Sequence, residues 1–292
     1  MHNQSLMNNI SKKVSLFATV IPLLFLASFS TKSTVENLQG TAVDRCQTDN
    51  STFQIGEEIT YKLYYNLNFI WIPAGEAVFK IADFGDVYRI SADGRTYSSY
   101  EWFFKVRDRY ESYIDKETLL PNMSVRDVKE GGYTLYDKTI LDQANKKANI
   151  TRGRAKDNIH ENKEMDIDNC MHDILSVIYF ARNLDYENMG EGARVPVKVF
   201  MDKAEWPMTV IYDGKDEDKR IKGMGKFRTI KFSPEVSAGD FFEKDAQMDI
   251  WVTDDKNKLP LLIAAPLSVG SVKAVLKDYK GLRYDMTAKV EK

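Results

Sequence analysis

The chain has 292 residues, more than the ~150 of a typical domain but within reach of one large all-β domain. Hydrophobic residues make up 43% and aromatics 12%, enough for a core, which excludes disorder over most of the length. With 41 Lys+Arg against 43 Asp+Glu the formal charge is −2, so no basic excess exists to displace counterions from phosphate, and a nucleic-acid partner is disfavoured.

The first 30 residues read as an address. Lys12 and Lys13 precede an apolar stretch, Val14–Phe29, and the small residues Ser28 and Ser30 place a cleavage between Ser30 and Thr31. A retained anchor is the alternative, but the run is shorter than the ~20 apolar residues that span a bilayer, and Pro22 interrupts it. No later stretch is long and apolar enough to span. The sequence therefore predicts an exported chain without a transmembrane segment after signal cleavage, carrying 39 basic and 43 acidic side chains. Cys46 lies well beyond the apolar run, which does not fit a lipidated cysteine. Cys170 is the only other cysteine. Two cysteines in an exported chain suggest one disulfide, closing a loop of about 124 residues worth ~4–5 kcal/mol in the chain-entropy model. The spacing alone equally admits two separate thiols, with Cys170 in a core.

Residues 31–52 are polar and turn-rich and read as a flexible leader to a single domain over 53–292. Ile59, Tyr61, Leu63, Tyr65 and Leu67 alternate with polar residues, the period of a half-buried strand. Ile72–Glu76 reads as a turn, after which Ala77, Phe79 and Ile81 alternate again as the second strand of a pair. Tyr88–Ala92, Val106–Ile114 and Met123–Val128 follow as strands, and Gly131-Gly132 turns the chain into Tyr133–Leu141. Asp142–Asn145 then leads to a strand over Lys147–Thr151. Further strands are predicted at Val195–Met201, Met208–Tyr212, Phe227–Phe232, Gln247–Thr253, Leu259–Ala265 and Ser271–Tyr279. The connections are too short for crossover helices, so the sheet is antiparallel.

Two segments depart from this pattern. Ser98–Phe104 reads as a short helix or an aromatic loop. Met171–Leu184 has apolar residues at helical spacing on a broad face, with Asp168 or Asn169 as the expected cap and Asp173 in the first turn. The charged stretches 153–169 and 213–222 read as surface loops. The fold expected is mainly β, a strongly curved antiparallel sheet or incomplete barrel with one main α-helix on its concave side.

The residues offer little chemistry. No G-x-S-x-G or H-E-x-x-H is present, and Gly223-Met224-Gly225 is too short for a phosphate loop. Cys170 and His172 stand two residues apart and point away from each other on a helix. Asp166, Asp168, His172 and Asp173 gather near the helix start, but without the spacing of a calcium loop they read as a cap and a solvated acidic stretch. No catalytic residue, metal or cofactor is assigned. Asp254 with Asp255, and Glu57 with Glu58, are adjacent in sequence and so point to opposite faces of a strand, which does not build a carboxylate pair. Aromatic residues are the unusual supply. Tyr65, Phe69, Trp71 and Trp102 are the candidate ligand-binding residues, set against the plainer reading of core and cross-strand packing.

Several of these segments together resemble a known family. Phe53–Tyr61 with Ala74–Ala77, Asp173–Arg182, Gly225–Ile230, Trp251–Asp255, Leu259–Ile263 and Gly270–Leu276 resemble, in order and spacing, the bacterial domain-of-unknown-function 3108 family (DUF3108). The resemblance runs over Phe53–Tyr279. It implies an exported, β-rich envelope protein, often of the Bacteroidetes, with no established activity and no catalytic residues to carry over. Cysteines near the mature N-terminus and before the helix look like those of relatives in that group, which favours a Cys46–Cys170 disulfide. Gly56, Gly75 and Gly270 then suit turns or close backbone approach, and Pro260 suits a strand start. Arg182 suits free carbonyls or a buried Asp.

The function expected is that of a non-enzymatic binding or carrier protein for an apolar or amphipathic ligand, a lipid or glycan, in the periplasm or at the periplasmic face of a Gram-negative envelope. The alternatives are an envelope assembly module that engages another protein and a carboxylate-dependent hydrolase using Asp254 or Asp255.

Overall fold

The computed structural model describes residue 46 and residues 48–67, 70–102, 104–236, 248–266 and 270–291. The signal segment, the Ser30–Thr31 cleavage, most of the leader and Phe69 lie outside them.

The first half of the chain is a meander of β1 (Glu58–Leu67), β2 (Ile70–Phe84), β3 (Val87–Thr96), β4 (Arg107–Asp115), β5 (Pro121–Glu130), β6 (Tyr133–Asp142), β7 (Lys147–Ala155) and β8 (Asn158–Asp166). A two-residue β9 (Met171–His172) and the helix α1 (Ile174–Arg182) follow. The second half is another meander: β10 (Arg194–Met201), β11 (Ala204–Ile221), β12 (Gly225–Val236), β13 (Asp249–Thr253), β14 (Pro260–Pro266) and β15 (Ser271–Lys280), with β16 (Lys289–Glu291). All join in one sheet in the order β8-β7-β6-β5-β4-β3-β2-β1-β15-β14-β13-β12-β11-β10-β9, with β16 on β12. The pairings are antiparallel except β9 with β10. The expected curved, mainly β architecture is the one observed.

α1 is the single α-helix of the described residues, and the sheet wraps it. Eight of its nine residues are buried, and it packs with strands from both halves in one hydrophobic core. A helix with no polar face is stable only when enclosed on all sides, as this one is. Its cap is Asp173, not Asp168 or Asn169. The Asp173 carboxylate accepts from the backbone N–H groups of Leu175 (2.9 Å) and Ser176 (2.8 Å), and the Ser176 hydroxyl accepts from Asp173 N–H (2.8 Å). That reciprocal capping box places the first turn at Ile174.

Three further expectations are corrected. Residues 153–169 are mostly strand, forming the β7–β8 hairpin; β8 is an edge with no fully buried residue, and its half-buried side shows apolar residues only at Ile159 and Met165. Residues 213–222 belong largely to β11 and, with the start of β12, form an arm that outruns the short β12–β13 ladder. Bulges at Tyr212/Gly214 and Asp216/Lys219 break the period-two pattern there. Ile72–Glu76 is not a turn but lies inside β2, where Gly75 brings two strands together: a Cβ on it would meet Arg95 O at 2.2 Å. In the segment 98–104, a single 3-10 turn spans Ser98–Tyr100.

A disulfide joins Cys46 to Cys170, with Cα atoms 5.1 Å apart, and ties the start of the described chain to the link between β8 and α1. The end of the stretch read as leader is pinned as well: Asn183 Oδ1 accepts from Ser51 N–H at 2.7 Å, and Thr52 and Phe53 are buried.

Candidate functional site

Inside the curled sheet α1 separates two compartments. One is an apolar groove between the helix and β11–β14. Val177, Ile178 and Ala181 line it from the helix, and Val210, Phe232 and Ile250 are among its facing residues. These strand residues belong to the inward set that alternates with Lys231 and Trp251 on the outside. Arg182 touches the groove, but its guanidinium is spoken for. It makes a two-pronged ion pair with Glu57 and donates to the Asn257 carbonyl at 3.0 Å. The groove therefore presents almost no polar group to a ligand.

The other compartment is polar and borders the first turn of α1. Register explains its composition. Tyr110 pairs with Arg126, Arg126 with Asp137 and Asp137 with Arg152, so these four side chains form one row across the inner face of β4–β7. Asp202, at the tip of the β10–β11 hairpin, caps the row and accepts from Arg126 (2.7 Å) and Arg152 (2.6 Å). Against the opposing effect of burial, Asp202 and Asp137 hold the Arg126 guanidinium above its ordinary pKa. Both residues of this tight turn have positive φ, +51° at Asp202 and +63° at Lys203, as a two-residue hairpin requires. The turn also crosses the open seam of the sheet: Lys203 pairs with Glu161 of the edge strand β8 at 3.1 Å.

Two buried groups adjoin this compartment. Asp173, besides capping α1, accepts from the Ser112 hydroxyl at 2.5 Å; burial raises its carboxyl to about 6 despite these donors. His172 lies beside Ser176 (Nδ1 to Oγ 3.3 Å) and is held to about 4 by desolvation. Ser176 is wholly buried and its hydroxyl serves the capping box, so this Ser–His contact is part of the helix start and not a nucleophile. Above Tyr110, Asp108 and Glu130 face each other in the core. Burial, then the Asp108 carboxyl, push Glu130 up to about 10; burial pushes Asp108 to about 6. Asp108 Oδ2, both Glu130 carboxyl oxygens and the Tyr110 hydroxyl have no hydrogen bond of normal geometry.

The sequence-predicted candidates are not brought into one site. Tyr65 packs against the core from the inner face of β1. Trp71 is opposite Asn66 and so on the outer face, beneath Lys273 Nζ at 4.1 Å. Trp102 follows the 3-10 turn and is 83% exposed. The acidic pairs also have plain roles. Asp254 pairs with Lys215, while Asp255 accepts from Asn257 N–H, Thr253 Oγ, Thr287 N–H and Ala288 N–H and so braces a turn. Glu57 is the buried partner of Arg182, and Glu58 pairs on the surface with Lys80 and Lys280. Asp168 pairs with Lys198 and Asp166 with Lys147. No group of three or more His, Cys, Asp or Glu able to hold a metal exists among the described residues.

Sequence reasoning missed the inner polar row. Its signal was available: Asp108, Tyr110 and Ser112 in β4, then Arg126 and Glu130 in β5, are polar residues at alternate, inward positions. The model of the family described as "Protein of unknown function (DUF3108)" matches residues 60–277. The chain belongs to the DUF3108 family. The matched span contains both compartments of this family member, the helix and all of the inner row. No curated protein matches it in sequence. Among solved structures it is similar to a beta-barrel-like protein of domain of unknown function DUF1849 from Brucella abortus, with a TM-score of 0.55 at 9% identity. The match covers 80% of this chain and 100% of that one. That likeness is one of fold.

Proposed function

We propose that the protein is a non-enzymatic carrier of the Gram-negative envelope, exported by its N-terminal signal, and that it holds an apolar or amphipathic ligand, such as a lipid, in the groove beside α1. The observation that carries this reading is the groove itself, set between sheet and helix and lined by aliphatic and aromatic side chains with no free polar group. An apolar lining rewards a hydrocarbon ligand by area removed from water. The disulfide is compatible with export, since such bonds persist in oxidising compartments. With Asp254 and Asp255 engaged in a surface ion pair and a turn, the hydrolase reading loses its motive.

The experiment is native mass spectrometry of protein purified from the periplasm without detergent, followed by titration with a fluorescent fatty acid. A retained lipid mass and saturable probe binding are expected. Val210→Trp and Ile250→Trp, which fill the groove, should abolish probe binding while the fold persists by circular dichroism. Probe binding that survives both substitutions, or no binding by the wild type, overturns the reading.

A further inference from the structure

The outer face of the sheet carries a surface that the carrier reading does not use. Two neighbouring cross-strand rows define it. Tyr64 of β1 pairs with Lys273 of β15, which pairs with Ala264 of β14. Alongside, Lys62 pairs with Val275, Val275 with Leu262, Leu262 with Trp251 and Trp251 with Lys231. Because paired residues share a face, these side chains stand together on the outside of β1 and β12–β15. The β11–β12 arm, bent by its two bulges, brings two more lysines to the same surface. Lys219 Nζ lies 3.5 Å from the centre of the Trp251 ring and Lys222 Nζ 5.1 Å from that of Tyr64. Lys62 reaches Tyr64 at 5.5 Å, Lys231 reaches Trp251 at 5.6 Å and Lys273 reaches Trp71 at 4.1 Å.

The charge of this surface is unbalanced. Lys231 pairs with Asp249 at 2.8 Å, but Lys62, Lys219, Lys222 and Lys273 make no ion pair with any described residue. Elsewhere most lysines of the sheet are paired with acids. Here aromatic faces take the place of carboxylates, at a fraction of the attraction, and the ammonium groups keep their affinity for an outside anion. Lys219 feels its neighbours: burial, and then Lys231 and Lys273, hold it below its ordinary pKa against Asp216 and Asp249. At the rim of the patch, beneath Lys273, Trp71 of β2 is 36% exposed. An exposed Trp next to lysines stacked on rings combines what an anionic bilayer surface selects: an aromatic ring at the headgroup level and flexible cations that reach phosphate.

We propose that this face docks the protein on an anionic phospholipid surface, with Trp71 entering the interface and Lys62, Lys219, Lys222 and Lys273 contacting lipid phosphates. The proposal is independent of what the interior groove holds.

The test is sedimentation of the purified protein with vesicles of phosphatidylglycerol and phosphatidylcholine in equal parts, and with vesicles of phosphatidylcholine alone. Binding to the first and not the second is expected, and it should disappear when salt is raised to about 1 M, where screening acts within ~3 Å. Lys219→Gln with Lys273→Gln should lower partition roughly 30-fold, the effect of removing two surface cations. Trp71→Ser should lower it as well while leaving the salt dependence intact. All five positions are at least partly exposed, so the variants fold. Equal binding to both vesicles, no binding to either, or unchanged binding by the lysine variant overturns the proposal. Retention on soluble alginate with no vesicle binding also overturns it and assigns the patch to an acidic polysaccharide.

Discussion

Arg182 and Glu57, 125 residues apart in sequence, meet in a two-pronged ion pair of 2.6 and 2.9 Å from which solvent is excluded. The guanidinium also stacks over the rings of Phe53 (5.7 Å) and Tyr179 (5.3 Å) and holds the carbonyl of Asn257, whose side chain in turn binds the backbone at Tyr284 and Asp285. One pair thus ties the entry to β1, the end of α1, the β13–β14 turn and the C-terminal segment. Removing one partner leaves a buried charge, so Arg182→Met is expected to cost about 3–5 kcal/mol in urea unfolding. Arg182→Met with Glu57→Leu removes both charges and should recover much of that loss. A double variant no more stable than the single one would sink this account.

The Asp108–Glu130 pair gives a pH dependence with a definite sign. Both carboxyls have folded pKa values above their ordinary ones, so their contribution is complete in acid and is lost as pH rises through about 6 for Asp108 and about 10 for Glu130. The native state should therefore lose stability between pH 5 and pH 9. Each step of one in pH costs about 1.4 kcal/mol while a folded carboxyl keeps a proton that the unfolded chain has released. Glu130→Gln is isosteric and does not titrate, and should flatten the profile. Chemical denaturation at a series of pH values measures this directly; identical slopes for the two proteins contradict it.

His172 acts at the other end of the scale. Its folded pKa, about 4, lies below the ordinary value, so stability falls as pH drops from about 6.5 toward 4. His172→Phe keeps the ring contact with Phe180 at 4.7 Å but cannot protonate. The variant should resist acid better than the wild type below pH 6, read as a higher Tm at pH 5 relative to pH 7.

Asp202 latches the seam. Asp202→Asn keeps a residue type that tolerates positive φ while removing the charge that faces Arg126 and Arg152. The expected cost is about 1–2 kcal/mol, below that of a fully buried pair because 40% of the Asp202 side chain is in solvent. Amide exchange should quicken in β8 and β10 before it does in β1 and β15. Uniform acceleration across the sheet would count against a local latch.

The Cys46–Cys170 bond closes a long loop, and Cys46→Ser is expected to destabilise by about 2–5 kcal/mol. Thermal melts with and without reductant should differ for the wild type and coincide for the variant.

How far the residues foretell this molecule depends on burial. Ile59 to Leu67 alternate because one face of β1 meets the core, and that ladder is legible at once. The helix is legible for the same reason, but its start is not: Asp173 looks like a first-turn acid because the capping box needs Ser176, which reads as an ordinary helix serine until its bond to Asp173 N–H is seen. β8 is invisible because this edge strand has no fully buried residue and only Ile159 and Met165 as apolar side chains. The inner row of Arg126, Asp137 and Arg152 escapes notice for the opposite reason. Each is charged and so reads as outward, yet each satisfies its neighbour across the sheet, which only register reveals.

The order of the strands also bears on how the chain reaches this state. Each half is a run of hairpins that can zip locally, but the two halves meet at a ladder between β1 and β15 in which Glu58 lies opposite Lys280. Closing so large a loop costs chain entropy that no hairpin repays, so high contact order concentrates in this one ladder. In a chain threaded from its N-terminus, β1 to β8 would emerge as a half-sheet whose inner edge, β1, waits unpaired for the last long strand. The rate-limiting event of folding is then the arrival of β15, and the exposed edge of β1 in that interval is where aggregation would begin.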